Sequence, residues 1–130
     1  MYARIYRAPY YYMQKFNFLH TVVIPAYNVC RGIIMKISVC LIVKNEESVI
    51  GRCLKSVILF ADEIIVVDTG SGDKTKEIAS KFTDKIYDFK WNDDFSAARN
   101  YAFSKASCNY LFWIDADDVI SEENAKKIIE

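Results

Sequence analysis

From Lys36 onward, apolar and polar positions alternate between two periodicities. Ile37-Ser38-Val39-Cys40-Leu41-Ile42-Val43 is a continuous β-rich run. A segment apolar on both faces predicts a strand covered on both sides, as in a parallel sheet. Val49, Ile50, Cys53, Leu54, Val57 and Ile58 then recur at helical spacing and give one broad apolar face. Asn45 is placed to cap this helix, with Glu46 and Glu47 at its positive end. A second strand is predicted over Glu63–Val67, ending at Asp68, followed by the turn Thr69-Gly70-Ser71-Gly72 and a helix capped by Asp73 that runs to about Phe82. A short third strand falls near Lys85–Phe89. A helix over Phe95–Ala106 follows, with Phe95, Ala98, Ala102 and Ala106 along one face. A fourth strand, Tyr110–Ile114, ends at Asp115, and Ser121 caps a last helix.

The order β-α-β-α-β-α-β-α with short connections implies an α/β fold, a mostly parallel sheet flanked by helices. Ligands bind such sheets beyond the carboxyl ends of the strands. Asn45, Asp68 and Asp115 all stand at such ends, so three polar side chains are expected on one rim.

The regular pattern covers residues 36–130, read as one domain. Residues 1–35 read as an N-terminal extension, expected to be poorly ordered or foreign to the domain. Within it, Thr21-Val22-Val23-Ile24-Pro25-Ala26-Tyr27-Asn28 parallels Ser38–Asn45 and reads as an extra edge strand, a remnant of gene rearrangement or a start assigned too early. The longest uncharged stretch, Phe16–Cys30, is about 15 residues and is interrupted by Asn17, His20 and Pro25, which is too short for a membrane helix.

Lys plus Arg equals Asp plus Glu at 17 each, which removes any bulk electrostatic case for nucleic acid. Cys30, Cys40, Cys53 and Cys108 match no zinc-ligand spacing and read as buried, reduced thiols. His20 is the single histidine, which disfavours a histidine triad or a histidine-rich metal site.

The residues with chemistry cluster at strand ends. In an extended segment, residues two apart point the same way, so Asp115 and Asp117 are expected to present two carboxylates to one point. Such a pair repels itself unless a cation or proton intervenes. Mg²⁺ or Mn²⁺, which prefers oxygen ligands and leaves room for phosphates, is the natural partner. The alternative is a solvated acidic turn. Asp68, beside flexible Gly70 and Gly72, is placed to accept hydrogen bonds from a base or ribose. The turn is not a dinucleotide fingerprint, because it follows the second strand with the wrong spacing. Arg99 lies near a helix N-terminus, where phosphate is favoured. Trp91 and Trp113 read first as core residues, with stacking on a base or sugar as the second choice.

Taken in register, ISVCLIVKNEE, ADEIIVVDTGSGDKT, DFSAARNYAFSKA and YLFWIDADD resemble the family 2 glycosyltransferases of the GT-A fold, a Rossmann-like nucleotide-sugar-binding fold. The first and third motifs look most like the bacterial branch of peptide and cell-envelope glycosyltransferases. The resemblance implies that Val43, Asn45, Glu46, Asp68, Arg99, Asp115 and Ala116 border a nucleotide-sugar, with Asp68 on a uracil base, and that Asp117 and Asp115 hold the metal. It implies inverting transfer from a UDP-sugar to an acceptor that is a saccharide, a lipid-linked glycan or a peptide. It places the enzyme in the cytoplasm, free or peripheral at the inner membrane face. The family's general base lies further past the D-x-D motif than this sequence extends, so the domain is expected to be truncated at its C-terminus, with catalytic residues unassigned. A truncated sheet would leave an edge or face uncovered and favour self-association.

Two other classes compete with this reading. Nucleotidyltransferases carry a Gly-rich basic loop after the first strand, where this sequence has Lys44-Asn45-Glu46-Glu47. A non-catalytic nucleotide-binding or interaction module remains the alternative to an enzyme.

Overall fold

The computed structural model describes residues 4–7 and 36–129. Five strands form one sheet in the order β1-β5-β2-β3-β4, where β1 is Arg4–Arg7, β2 Ile37–Val43, β3 Glu63–Asp68, β4 Ile86–Asp88 and β5 Tyr110–Trp113. Strands β2 to β5 are mutually parallel, as the alternating pattern predicts. β1 pairs antiparallel with β5, Arg4 opposite Trp113 and Arg7 opposite Tyr110. The sequence pattern leaves these four residues unassigned. The edge-strand reading of Thr21–Asn28 falls outside the described residues.

Helices α1 (Ile50–Val57), α2 (Thr75–Ala79), α3 (Phe95–Ser104) and α4 (Glu122–Ile129) connect and cover the strands. Alternate residues of each strand face opposite sides. Ile37, Val39, Leu41 and Val43 of β2 therefore join Ile64 and Val66 of β3 and Phe112 of β5 beneath α1, whose Ile50, Cys53, Leu54 and Val57 are fully buried. Cys40, Ile65, Val67, Leu111 and Trp113 face the other way and pack against Ala102 and Phe103 of α3. Burying each large aliphatic side chain contributes roughly 1.5–3 kcal/mol, so these two layers are the main source of stability. Phe60 and Phe112 meet edge to face at 5.1 Å within the larger layer.

Two helix starts differ from expectation. Asn45 does not cap α1, which begins at Ile50 without a side-chain cap. It sits five residues upstream with φ of 55°. At α2, Asp73 does serve the first turn, with Oδ1 accepting from Thr75 N at 3.0 Å, but the helix ends at Ala79 rather than near Phe82. Ser121 behaves as expected and accepts from Asn124 N at 3.2 Å. Among the described residues, no helix is long and apolar enough to cross a membrane.

Candidate functional site: a cleft at the switch point of the sheet

In the parallel part of the sheet, the chain progresses outward from β2 to β3 and β4, then returns to place β5 on the other side of β2. The strand order therefore reverses between β5 and β2, and ligands bind such sheets beyond the carboxyl ends of the strands at that point. A cleft of about 370 Å³ lies there. Val43, Lys44 and Glu46 line it from the β2–α1 loop, Thr69 from the end of β3, Trp91 and Phe95 from the approach to α3, and Asp115, Ala116 and Asp117 from the segment after β5.

Of the residues singled out in the sequence, Val43, Glu46, Asp115, Ala116 and Asp117 line this cleft together. Asn45, Asp68 and Arg99 are not among its lining residues, though each neighbours one of them in the chain or by contact. Thr69 links two strand ends: its N and Oγ1 both donate to Val43 O, at 3.0 and 3.2 Å.

Asp68 is 1% exposed. Its Oδ1 accepts from Gly70 N and Ser71 N, both at 2.8 Å. Gly70 adopts φ of 108°, a conformation that side chains resist, and this brings the two amides round to one oxygen. The other oxygen, Oδ2, is buried and accepts no hydrogen bond from the described residues. An unpartnered buried acceptor costs roughly 1–3 kcal/mol. Asp68 is therefore oriented by one oxygen and left open at the other.

Asp115 and Asp117 do not lie in an extended segment. Asp118 N donates to Asp115 O at 3.1 Å, which closes a turn over Ala116 and Asp117. The two-residue alternation of a strand thus does not explain their shared cleft; the turn brings both residues to it. Cys53 Sγ donates to Asp115 O at 3.5 Å and fixes the turn to α1. Desolvation, then the Asp118 and Asp117 carboxylates, raise the Asp115 carboxyl above its usual range, and Arg99 opposes them. This crowding of negative charge is what a divalent cation relieves. Among the described residues no three His, Cys, Asp or Glu side chains are grouped to hold a metal ion. A two-carboxylate, all-oxygen donor set fits Mg²⁺ or Mn²⁺, which fill their shells with water and phosphate oxygens.

Arg99 lies in the second turn of α3, not in its first. The first-turn amide of Ala97 is already taken by Asp94 Oδ1 at 3.1 Å. The guanidinium stacks on Phe95 and Trp113, with Cζ 5.2 and 5.1 Å from the ring centres, and its buried Nε meets no acceptor among the described residues. Trp113 is core, as expected. Trp91 is not: it is 38% exposed and forms part of the cleft. Thr69 and Phe95 were also not expected as lining residues, whereas Lys44 falls within the stretch Val43–Glu46 expected to border the nucleotide.

The parallel sheet with flanking helices, and the cleft at the carboxyl ends of its central strands, are those of a GT-A type α/β fold. The chain belongs to the family described as glycosyl transferase family 2, whose model matches residues 38–130. It is 43% identical over 90 residues to the SPbeta prophage-derived glycosyltransferase SunS of Bacillus subtilis, covering 68% of this chain and 21% of that protein. It is 45% identical over 83 residues to a TPR repeat-containing protein of Synechococcus elongatus, covering 64% of this chain and 21% of the relative. S. aureus TarS in complex with UDP superposes with a TM-score of 0.61 at 30% identity, over 72% of this chain and 31% of that one. Glucosyl-3-phosphoglycerate synthase from Mycobacterium tuberculosis, in complex with Mn²⁺, UDP and glucosyl-3-phosphoglycerate, superposes with a TM-score of 0.56 at 25% identity, over 63% and 33%. The chain thus spans about a fifth of the length of these curated relatives.

Proposed function

We propose that residues 36–130 form the donor-binding part of a glycosyltransferase that takes a UDP-sugar and transfers the sugar with inversion. The observation that carries this reading is Asp68, whose buried Oδ2, unpartnered among the described residues, sits beside a cleft with two carboxylates on its rim. A carboxylate oriented through Oδ1 by two backbone amides, with Oδ2 left to accept, suits the ring N–H of uracil. The UDP bound in the complexes of TarS and of the mycobacterial synthase supports the same ligand.

In this reading Asp117 and Asp115 hold Mn²⁺ or Mg²⁺ with the donor diphosphate. Once bound, the ion neutralises negative charge on the departing diphosphate. Val43, Glu46 and Ala116 form the walls around the donor, and Asn45 and Arg99 support those walls. In the transfer, an acceptor oxygen bonds to the anomeric carbon, the bond to the β-phosphate oxygen breaks, and a base takes the acceptor proton. The acceptor is a saccharide, a lipid-linked glycan or a peptide. The enzyme works in the cytoplasm or at the inner membrane face.

Calorimetric titration with UDP, with and without Mn²⁺, tests this on the wild type, Asp117→Ala and Asp68→Asn. Mn²⁺-dependent binding is expected in the wild type. Asp117→Ala should abolish the metal dependence. Asp68→Asn should weaken UDP binding roughly tenfold or more, because an amide can turn a donor toward the base N–H. A folded wild-type chain that binds no nucleotide would refute the donor site and leave an interaction module in its place.

A further inference from the structure

Trp91 and Phe95 stand on the same wall of the cleft, 38% and 46% exposed, and their rings meet edge to face at 6.4 Å. Scattered exposed aromatics are ordinary. These two are held in place. Trp91 Nε1 donates to Asp93 Oδ1 at 2.9 Å. That short loop depends on Asp93 adopting φ of 59°, a left-handed conformation that Asp tolerates better than most residues. With its one polar atom satisfied by its own loop, the indole offers the cleft only ring surface. Phe95 is braced from behind by Trp113, edge to face at 6.1 Å, and by the Arg99 cation.

We infer that Trp91, braced by Phe95, is the stacking platform for the donor's nucleobase, and that Asp93 is the positioning residue that sets its angle. This rests on the donor-site reading above and extends it to a specificity element. The place in the fold favours a base over a sugar. β4 pairs with β3 so that Asp68 stands opposite Asp88, and Phe89 N donates to Asp68 O at 2.8 Å. Trp91 follows Phe89 by two residues. The platform therefore leaves the sheet beside the strand end that carries the open Asp68 oxygen. A planar base needs one edge partner and one face partner. Asp68 supplies the first and Trp91 the second. A hexose would need several directional polar partners, which this wall does not offer.

The chain has two tryptophans, and the other, Trp113, is buried. UDP is therefore expected to quench the fluorescence of the exposed Trp91, and Trp91→Phe should remove the quenching while keeping most of the affinity. Trp91→Ala should weaken UDP binding about tenfold or more, with Mn²⁺-dependent binding of pyrophosphate, a probe without a base, unchanged. Asp93→Ala should give an intermediate loss of UDP affinity. Trp91 is exposed, so melting temperatures should match the wild type. A Trp91→Ala chain that binds UDP as tightly as the wild type, or loses UDP and pyrophosphate equally, overturns the platform while leaving the donor site standing. A wild type that binds neither probe overturns both.

Discussion

Asn45 Oδ1 accepts a hydrogen bond from Gly72 N at 2.8 Å, joining the loop after β2 to the loop after β3. The contact is one of several between these loops. Asn45 N donates to Ser71 Oγ at 2.9 Å, Glu46 N to Thr75 Oγ1 at 2.7 Å and Lys74 N to Glu47 Oε2 at 2.9 Å. Together they hold the cleft residues Val43, Lys44 and Glu46 at a fixed distance from Asp68. Asn45 reaches Gly72 because its own backbone is left-handed at φ 55°, which Asn adopts more readily than other side chains.

Asn45→Ala should therefore destabilise the fold by about 1–2 kcal/mol, from backbone strain and the lost contact. Asn45→Gly keeps the backbone conformation and should lose less. Urea denaturation of the two variants measures the difference. Equal loss in both would mean that strain at Asn45 contributes nothing.

Glu63 predicts how stability depends on pH. It is 7% exposed at the start of β3 and accepts from Lys85 Nζ, Ser38 Oγ, Ser107 N at 2.8 Å and Ser107 Oγ at 3.0 Å. Burial alone would raise its carboxyl, but these donors, led by Lys85, outweigh it and lower the pKa from 4.5 to about 2. A lowered acid stabilises the folded chain above its unfolded pKa. That contribution is lost as pH falls from about 4.5 toward 2. It is on the order of 3 kcal/mol at neutral pH. Glu63→Gln should lower stability at pH 7 and narrow the gap to wild type as the pH approaches 2. A gap that stays constant across that range would show that the Glu63 charge does not matter.

The strands and the central helix were legible because each obeys one period throughout. β2 is apolar on both faces, and α1 places Ile50, Cys53, Leu54 and Val57 on one side. What was misread depends on partners far away in sequence. Asn45 looked like a cap because the residues after it are acidic, yet its partner Gly72 is 27 residues on. The Glu63 network spans separations of 22 to 44 residues, which no local window detects. Trp91 was placed in the core because an aromatic in an irregular loop has no periodicity to reveal its direction. Phe95 shares one helical face with Ala98 and Ala102 by spacing, yet at the first turn of α3 it is exposed and lines the cleft while they are buried. β1, four residues with arginine at each end, carries no strand alternation to read.

Cys40 and Cys53, the two buried cysteines among the described residues, should be chemically silent. Burial, with Glu63 and Cys108 adding to it, pushes the Cys40 thiol up to about 12. Burial, followed by Asp118, Asp117 and Asp115, does the same for Cys53. The thiolate is the reactive form, so at pH 8 iodoacetamide should modify the half-buried Cys108 before either of them. Peptide mass spectrometry of the folded chain would show the order. Early modification of Cys53 would mean that α1 opens far more often than its packing allows.

The N-terminus of α3 connects stability to the cleft most directly. Asp94 has extended backbone angles, φ −121° and ψ 100°, and its Oδ1 accepts from Ala97 N at 3.1 Å. Removing such a cap costs typically about 1 kcal/mol. The helix it starts carries Phe95 in its first turn and Arg99 in its second. The guanidinium lies over Phe95 and Trp113, so fraying of the first turn would release Phe95 from that stack. Asp94→Ala should thus lower stability by about 1 kcal/mol and also weaken nucleotide binding. Asp94→Ser, which keeps an accepting oxygen, should restore most of both. Denaturation and UDP titration on the same samples separate the effects. If Asp94→Ala loses stability but binds UDP as tightly as the wild type, the first turn of α3 does not shape the donor site.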